Sequence, residues 1–142
     1  MSVPILLVED SPSDAAILLA AFEDSGYVGK MRVVTNGVEA IRALESTHLD
    51  GDTEKPQLIL LDLNLPKKSG LEVLEEIKRN PLWKHIPIVI LSSSSSRSDI
   101  DRSYQLHANA YLSKPREFSG YQAIAQQLYG FWLQTVELPM QD

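Results

Sequence analysis

Four short apolar runs in this sequence end in side chains that can do chemistry. Ile5-Leu6-Leu7-Val8 runs into the acidic pair Glu9-Asp10, and Leu58-Ile59-Leu60-Leu61 runs into Asp62. Ile88-Val89-Ile90-Leu91 is followed by Ser92, and Ala110-Tyr111-Leu112 leads, past Ser113, to Lys114-Pro115. A carboxylate is rarely buried unless it is paired, coordinated or functional. An acid standing where a buried segment stops is therefore a candidate for one of those roles. Three carboxylates held together repel, each close pair by about 4 kcal/mol at an effective dielectric near 20. Such a cluster either takes up protons or binds a cation. Oxygen donors without His or Cys suit a hard ion, magnesium or manganese, that keeps several of its waters. A carboxylate beside that ion can attack phosphorus and become an aspartyl phosphate. A lysine would pair with the phosphoryl oxygens as a point charge, and a serine hydroxyl could donate a further hydrogen bond.

This chemistry requires the four runs to end on one edge of one sheet, and the patterning supplies it. Apolar runs without polar alternation read as strands buried on both faces, as in a parallel sheet. A further strand is predicted at Met31-Arg32-Val33-Val34, before the turn residues Asn36-Gly37. Helices alternate with the strands. Ser11-Pro12-Ser13-Asp14 supplies an N-cap, a proline at the first helical position and an acid three residues after the cap. Ile17, Leu18, Ala21 and Phe22 point that helix inward, and it stops near Gly26. Val38, Ile41 and Leu44 mark the second helix, and Ser46–Pro56 is expected to be an extended surface loop. Leu71, Leu74 and Ile77 mark the third helix, Asp99–Leu106 the fourth, and Tyr121, Ile124, Leu128 and Phe131 the last. Strand–helix alternation implies parallel pairing with right-handed crossovers. The expected architecture is an α/β, doubly wound five-stranded parallel sheet of order 2-1-3-4-5 with five helices, flavodoxin-like, its ligand edge at the carboxyl ends of the strands.

The whole chain narrows the partners. Its 142 residues are expected to form one domain with no separate output domain, and a net charge of −6 disfavours nucleic acid and anionic membranes. The absence of cysteine excludes disulfides and thiolate metal sites. No apolar run is long enough to span a membrane and the start lacks a secretory pattern, so a cytoplasmic location is expected.

On Glu9-Asp10, Asp62 in Leu-Leu-Asp-Leu-Asn-Leu-Pro, Ser92 after its strand and Lys114-Pro115, the sequence resembles the receiver domains of two-component response regulators. The resemblance runs from Ile5 to the last helix. It implies that Asp62 is the phosphoacceptor, accepting from a sensor histidine kinase, and that the protein is a signalling protein rather than an enzyme. It implies a magnesium site (manganese possible) from Asp10, Asp62 and the backbone carbonyl of Asn64, with Glu9 acting through water. It further implies that Ser92 and Lys114 contact the phosphoryl group, and that Tyr111 is the aromatic that moves with Ser92. Lys114-Pro115 resembles the family's cis Lys-Pro pair. A narrower resemblance is to the stand-alone response regulators of cyanobacterial phytochromes. It rests on the long loop before the third strand, the run Asp62–Lys68, and the ending Phe131-Trp132-Leu133. It implies a phytochrome kinase as partner, a homodimer with Phe131 and Trp132 at its interface, and an output through an unidentified downstream protein. Ser69 stands where the family usually has Asp, and Arg116-Glu117 is less apolar than usual.

Other readings are weaker. His48, His85 and His107 lack metal-ligand spacing, and Asp50-Gly51-Asp52 lacks the remaining ligands of a calcium loop. A flavin carrier would need a glycine- and hydroxyl-rich phosphate loop where Glu9-Asp10 stands. A phosphohydrolase of the haloacid dehalogenase type would want Asp at Asn64. A degenerate receiver, acting as a phosphorylation-independent interaction module, would not need every chemical position filled.

Overall fold

The structure, a computed structural model, describes residues 4–49 and 55–139. β1 (Ile5–Val8), β2 (Met31–Val34), β3 (Leu58–Leu61), β4 (Ile88–Ser92) and β5 (Ala110–Ser113) alternate with α1 (Pro12–Asp24), α2 (Gly37–Leu49), α3 (Gly70–Arg79), α4 (Arg97–Gln105) and α5 (Phe118–Leu128). The strands form one parallel sheet in the order β2-β1-β3-β4-β5, as the alternation requires. β1, β3 and β4 are buried along their whole length, which explains why they carry no polar alternation. The strand period of two sends their side chains to two separate cores. Leu6, Val8, Ile59 and Leu61 pack with residues of α2 and α3, while Ile5, Leu7, Leu58 and Leu60 pack with α1 and α5.

Several boundaries differ from the sequence reading, each for a local reason. Ser46–Leu49 is helical rather than loop. The Ser46 hydroxyl donates to the Ala43 carbonyl at 2.9 Å and Thr47 to Leu44 at 2.7 Å, so the polar residues bond back along the helix instead of ending it. Asp50-Gly51-Asp52 lies outside the described residues. α4 begins at Arg97 because Ser96 caps it, its hydroxyl accepting the Asp99 N–H at 3.1 Å. The last helix is not one α-helical stripe: after Leu128 it continues as a π-helical segment, Tyr129–Thr135, which rotates Phe131 out of register with Tyr121 and Leu128. The Lys114–Pro115 bond is trans, there being no cis peptide bond among the described residues. Trans is the isomer an X–Pro bond favours by about 0.5–1 kcal/mol. Ser69 is no defect. It N-caps α3 in a closed capping box with Glu72, a role serine and aspartate fill about equally.

Gly70 fixes the loop between β3 and α3. A Cβ there would stand 2.2 Å from the Asp62 carbonyl oxygen and 2.5 Å from the Leu63 Cα, both main-chain atoms that cannot swing aside. Gly130, by contrast, faces open space. Gly70→Ala should therefore cost about 1–3 kcal/mol of stability through overpacking. Gly130→Ala should be neutral or stabilise by up to about 1 kcal/mol. Urea unfolding of both variants checks the contrast, and equal midpoints would contradict it.

Candidate functional site

Strand register delivers the chemistry to one edge. Val8 of β1 is level with Leu61 of β3, so Glu9 and Asp62 leave their strands side by side, tied by the Asp62 N–H donating to the Val8 carbonyl at 3.1 Å. Ser92 and Ser113 are likewise level, and the Lys114 N–H donates to the Ser92 carbonyl at 2.8 Å. Glu9, Asp62 and Ser92 are buried, while Asp10 is exposed at the rim.

The Lys114 ammonium is the centre of this group. It lies 2.7 Å from Glu9 Oε1, 2.9 Å from Asp14 Oδ2 and 3.0 Å from Asp62 Oδ2. Burial alone would lower its pKa, but the hydrogen bonds to the three carboxylates win and hold it above the ordinary lysine value. Burial raises the Glu9 carboxyl above its ordinary range, and the neighbouring charge of Asp62 adds to the rise, against the hydrogen bonds from Lys114 and the Ser11 N–H. One cation thus faces several anions and does not neutralise them all. Carboxylate oxygens of Glu9, Asp10 and Asp62 lie within 4.8 Å of one another. An all-oxygen donor set with one member open to solvent and excess negative charge fits a hard divalent cation. The Asn64 N–H donates to Asp62 Oδ1 at 3.4 Å, which brings the Asn64 backbone beside the cluster.

Asp14 is the residue that sequence reasoning missed as part of the site. Its spacing after Ser11 suggests only a helix cap, and the cap is half made: the Asp14 N–H donates to Ser11 Oγ at 3.2 Å. The Asp14 carboxylate does not return the bond. Ser11 N–H donates instead to Glu9 Oε2 at 3.1 Å, which leaves the Asp14 side chain free to reach Lys114 across 100 residues of sequence.

The loop after Ser92 is a hydrogen-bonded unit rather than a flexible serine tract. Ser92 Oγ accepts the Ser94 N–H at 3.2 Å, and Ser94 Oγ donates to Asp99 Oδ2 at 2.6 Å. The Tyr111 hydroxyl donates to the Ser94 carbonyl at 2.7 Å. Ser92 and Tyr111 are therefore joined through one residue. The other predicted residues lie elsewhere. Phe131 is 54% exposed and sits edge-on to Trp132, which packs partly against the α1–α5 core.

The chain belongs to the response regulator receiver domain family, whose model matches residues 5–125. It is 42% identical over 135 residues to the response regulator Rcp1 of Synechocystis, spanning 95% of this chain and 92% of that protein. Two crystal structures are similar across almost the whole chain. The phosphorylated cyanobacterial phytochrome response regulator RcpA superposes with a TM-score of 0.92 at 41% identity, covering 99% of this chain and 100% of that one. The Mn2+-bound form of Rcp1 superposes at 0.88, also with 41% identity, covering 97% and 99%. Among the described residues, no helix is long and apolar enough to cross a membrane.

Both Glu9 oxygens are already engaged, by Lys114 and by the Ser11 N–H, whereas Asp10 faces solvent. Asp10→Asn should therefore weaken divalent-cation binding by about tenfold or more, a loss of at least ~1.4 kcal/mol, and Glu9→Gln should weaken it less. Isothermal titration with magnesium chloride measures both, and equal losses would contradict the assigned direct and indirect roles.

Proposed function

We propose that this receiver accepts a phosphoryl group on Asp62 from the phosphohistidine of a sensor kinase, a phytochrome, and signals in the cytoplasm through protein contacts. The observation that carries this reading is the placement of Asp62. It is buried, 3.0 Å from the Lys114 ammonium, and shares a cluster with the carboxylates of Glu9 and Asp10. An Asp62 carboxylate oxygen forms the new bond to phosphorus as the phosphorus–nitrogen bond to the kinase histidine breaks. The freed electron pair stays on the imidazole. Glu9, Asp10, Asp62 and the Asn64 carbonyl are the residues that would hold Mg2+ or Mn2+, which supplies charge to the phosphoryl oxygens when bound. Lys114 and the Ser92 hydroxyl contact the phosphoryl group and take up its added charge. As Ser92 turns toward that group it gives up the Ser94 N–H, and Tyr111, bonded to the Ser94 carbonyl, moves with the loop.

The phytochrome assignment rests on similarity to the phytochrome response regulator RcpA over nearly the full chain. The reaction itself is testable without the kinase. Acetyl phosphate with magnesium should add one phosphoryl group by intact mass, and neither Asp62→Asn nor wild type in chelator should gain it. Full-rate labelling of Asp62→Asn would mean that another residue is the nucleophile.

The same reading places a homodimer interface at Phe131 and Trp132. Exposed Phe131 stacks edge-on against Trp132 at 5.5 Å between ring centroids, making an apolar ridge on the α5 end of the molecule. Phe131→Ala should weaken the dimer while Asp62 labelling continues. Sedimentation that finds only monomer at every concentration, with and without phosphate, would sink the dimer and leave the phosphoacceptor standing.

A further inference from the structure

An ammonium has three N–H donors and no more, and Lys114 directs one at each of Glu9, Asp14 and Asp62, at 2.7, 2.9 and 3.0 Å. Phosphorylation of Asp62 moves negative charge outward, from the carboxylate to oxygens on the attached phosphorus. Lys114 must shift its head group to follow, and its other two partners resist that shift. They resist unequally. Glu9 is 2% exposed, and its second oxygen is fixed by the Ser11 N–H, so bulk solvent has far less access to take over from Lys114 there. The Asp14 side chain is 29% exposed and sits on the first turn of α1, where solvent can take over its acceptor. Asp14 is the tether that lets go.

We propose that Asp14 is a positioning residue that competes with the phosphoryl group for Lys114, and so lowers the affinity of the site for that group. The inference rests on Asp62 being the phosphoacceptor. It extends that reading by naming a residue that sets how strongly the phosphorylated state is favoured. Asp14 has no contact with phosphorus in this scheme and acts wholly through Lys114. The acceptor chemistry does not need it. Its bond to the resting ammonium stabilises the unphosphorylated arrangement and is lost on conversion, so removing it from both states favours the phosphorylated one.

The probe is beryllofluoride, a phosphoryl analogue, titrated calorimetrically at saturating magnesium chloride. Asp14→Asn and Asp14→Ser both keep the N–H that caps α1, and either suffices. Each should bind beryllofluoride about 2- to 10-fold more tightly than wild type, the range of a partly exposed charged hydrogen bond. In a Lys114→Met background the same Asp14 substitution should change affinity by less than about 2-fold, because the pathway through Lys114 is gone. Unchanged or weaker binding in the single variants would overturn the proposal. So would an equal gain with Lys114 absent, which would show a charge acting through space rather than competition for a donor. A wild type that binds no beryllofluoride would overturn the phosphoacceptor reading and this inference with it, whereas a wild type that binds while the variants gain nothing overturns this inference alone.

Discussion

The buried ammonium of Lys114 is the constraint on which the ends of four strands depend. Acidic side chains just past β1 and β3 and on α1 converge on it from segments far apart in the sequence. Without a cation at that point, Glu9 and Asp62 would be buried beside each other with no charge to offset them. Breaking a buried pair by removing one partner costs about 3–5 kcal/mol, a large share of the stability of a small domain. The register of β1 against β3, and of β4 against β5, is therefore fixed from two sides. Apolar burial sets which residues face which core, and the polar edge allows no slip of the strand ends. A one-residue shift would send Glu9 or Asp62 to the opposite face of the sheet.

From this edge the structure runs outward through hydrogen bonds rather than through apolar packing. Ser92 is joined to Ser94, Ser94 to Asp99 at the start of α4, and Ser94 also to Tyr111 on β5. A serine-rich loop is suited to this because each short hydroxyl can exchange one partner for another without leaving a void. Ser96 and Ser103 complete the arrangement by bonding the first turns of α4 to themselves. A change of partner at Ser92 thus reaches α4 and β5 together. Couplings between sites of this kind are commonly about 1–3 kcal/mol, well within what the loss or gain of one or two such bonds provides.

What the sequence made legible was whatever depends on short-range pattern. The first three strands end where the apolar runs end, and β4 and β5 each extend one residue beyond the sequence reading. The strand order follows from alternation, and the positions Glu9, Asp10, Asp62, Ser92 and Lys114 follow from what stands at the strand ends. Boundaries failed where side chains bond back to their own backbone. Ser46 and Thr47 look like loop residues and instead extend α2. Asp14 was hidden because a cap and a salt bridge use the same residue type at the same spacing, and only the competing bond from Ser11 to Glu9 decides between them. Lys78 lies near the end of α3. It is pulled inward to donate to the carbonyls of Lys84 and Ile86 and to the Asn109 side chain, with burial lowering its pKa to about 8. No periodicity announces a lysine whose acceptors are carbonyls contributed by other segments.

The charge count at the site bears on why a divalent cation is a condition of the proposed chemistry and not an accessory to it. Glu9, Asp10, Asp14 and Asp62 carry four carboxylates around the single ammonium of Lys114. A phosphoryl donor brings further negative charge to the same few ångströms. Lys114 has already committed its donors, so it can relieve that repulsion only by abandoning a carboxylate. Each close pair of like charges costs about 4 kcal/mol at an effective dielectric near 20, and the uptake of a proton by the acceptor would remove its nucleophilicity. The remaining relief is positive charge from outside the chain. The exposed carboxylate of Asp10, beside two buried ones, is where such charge can enter without unfolding the edge of the sheet.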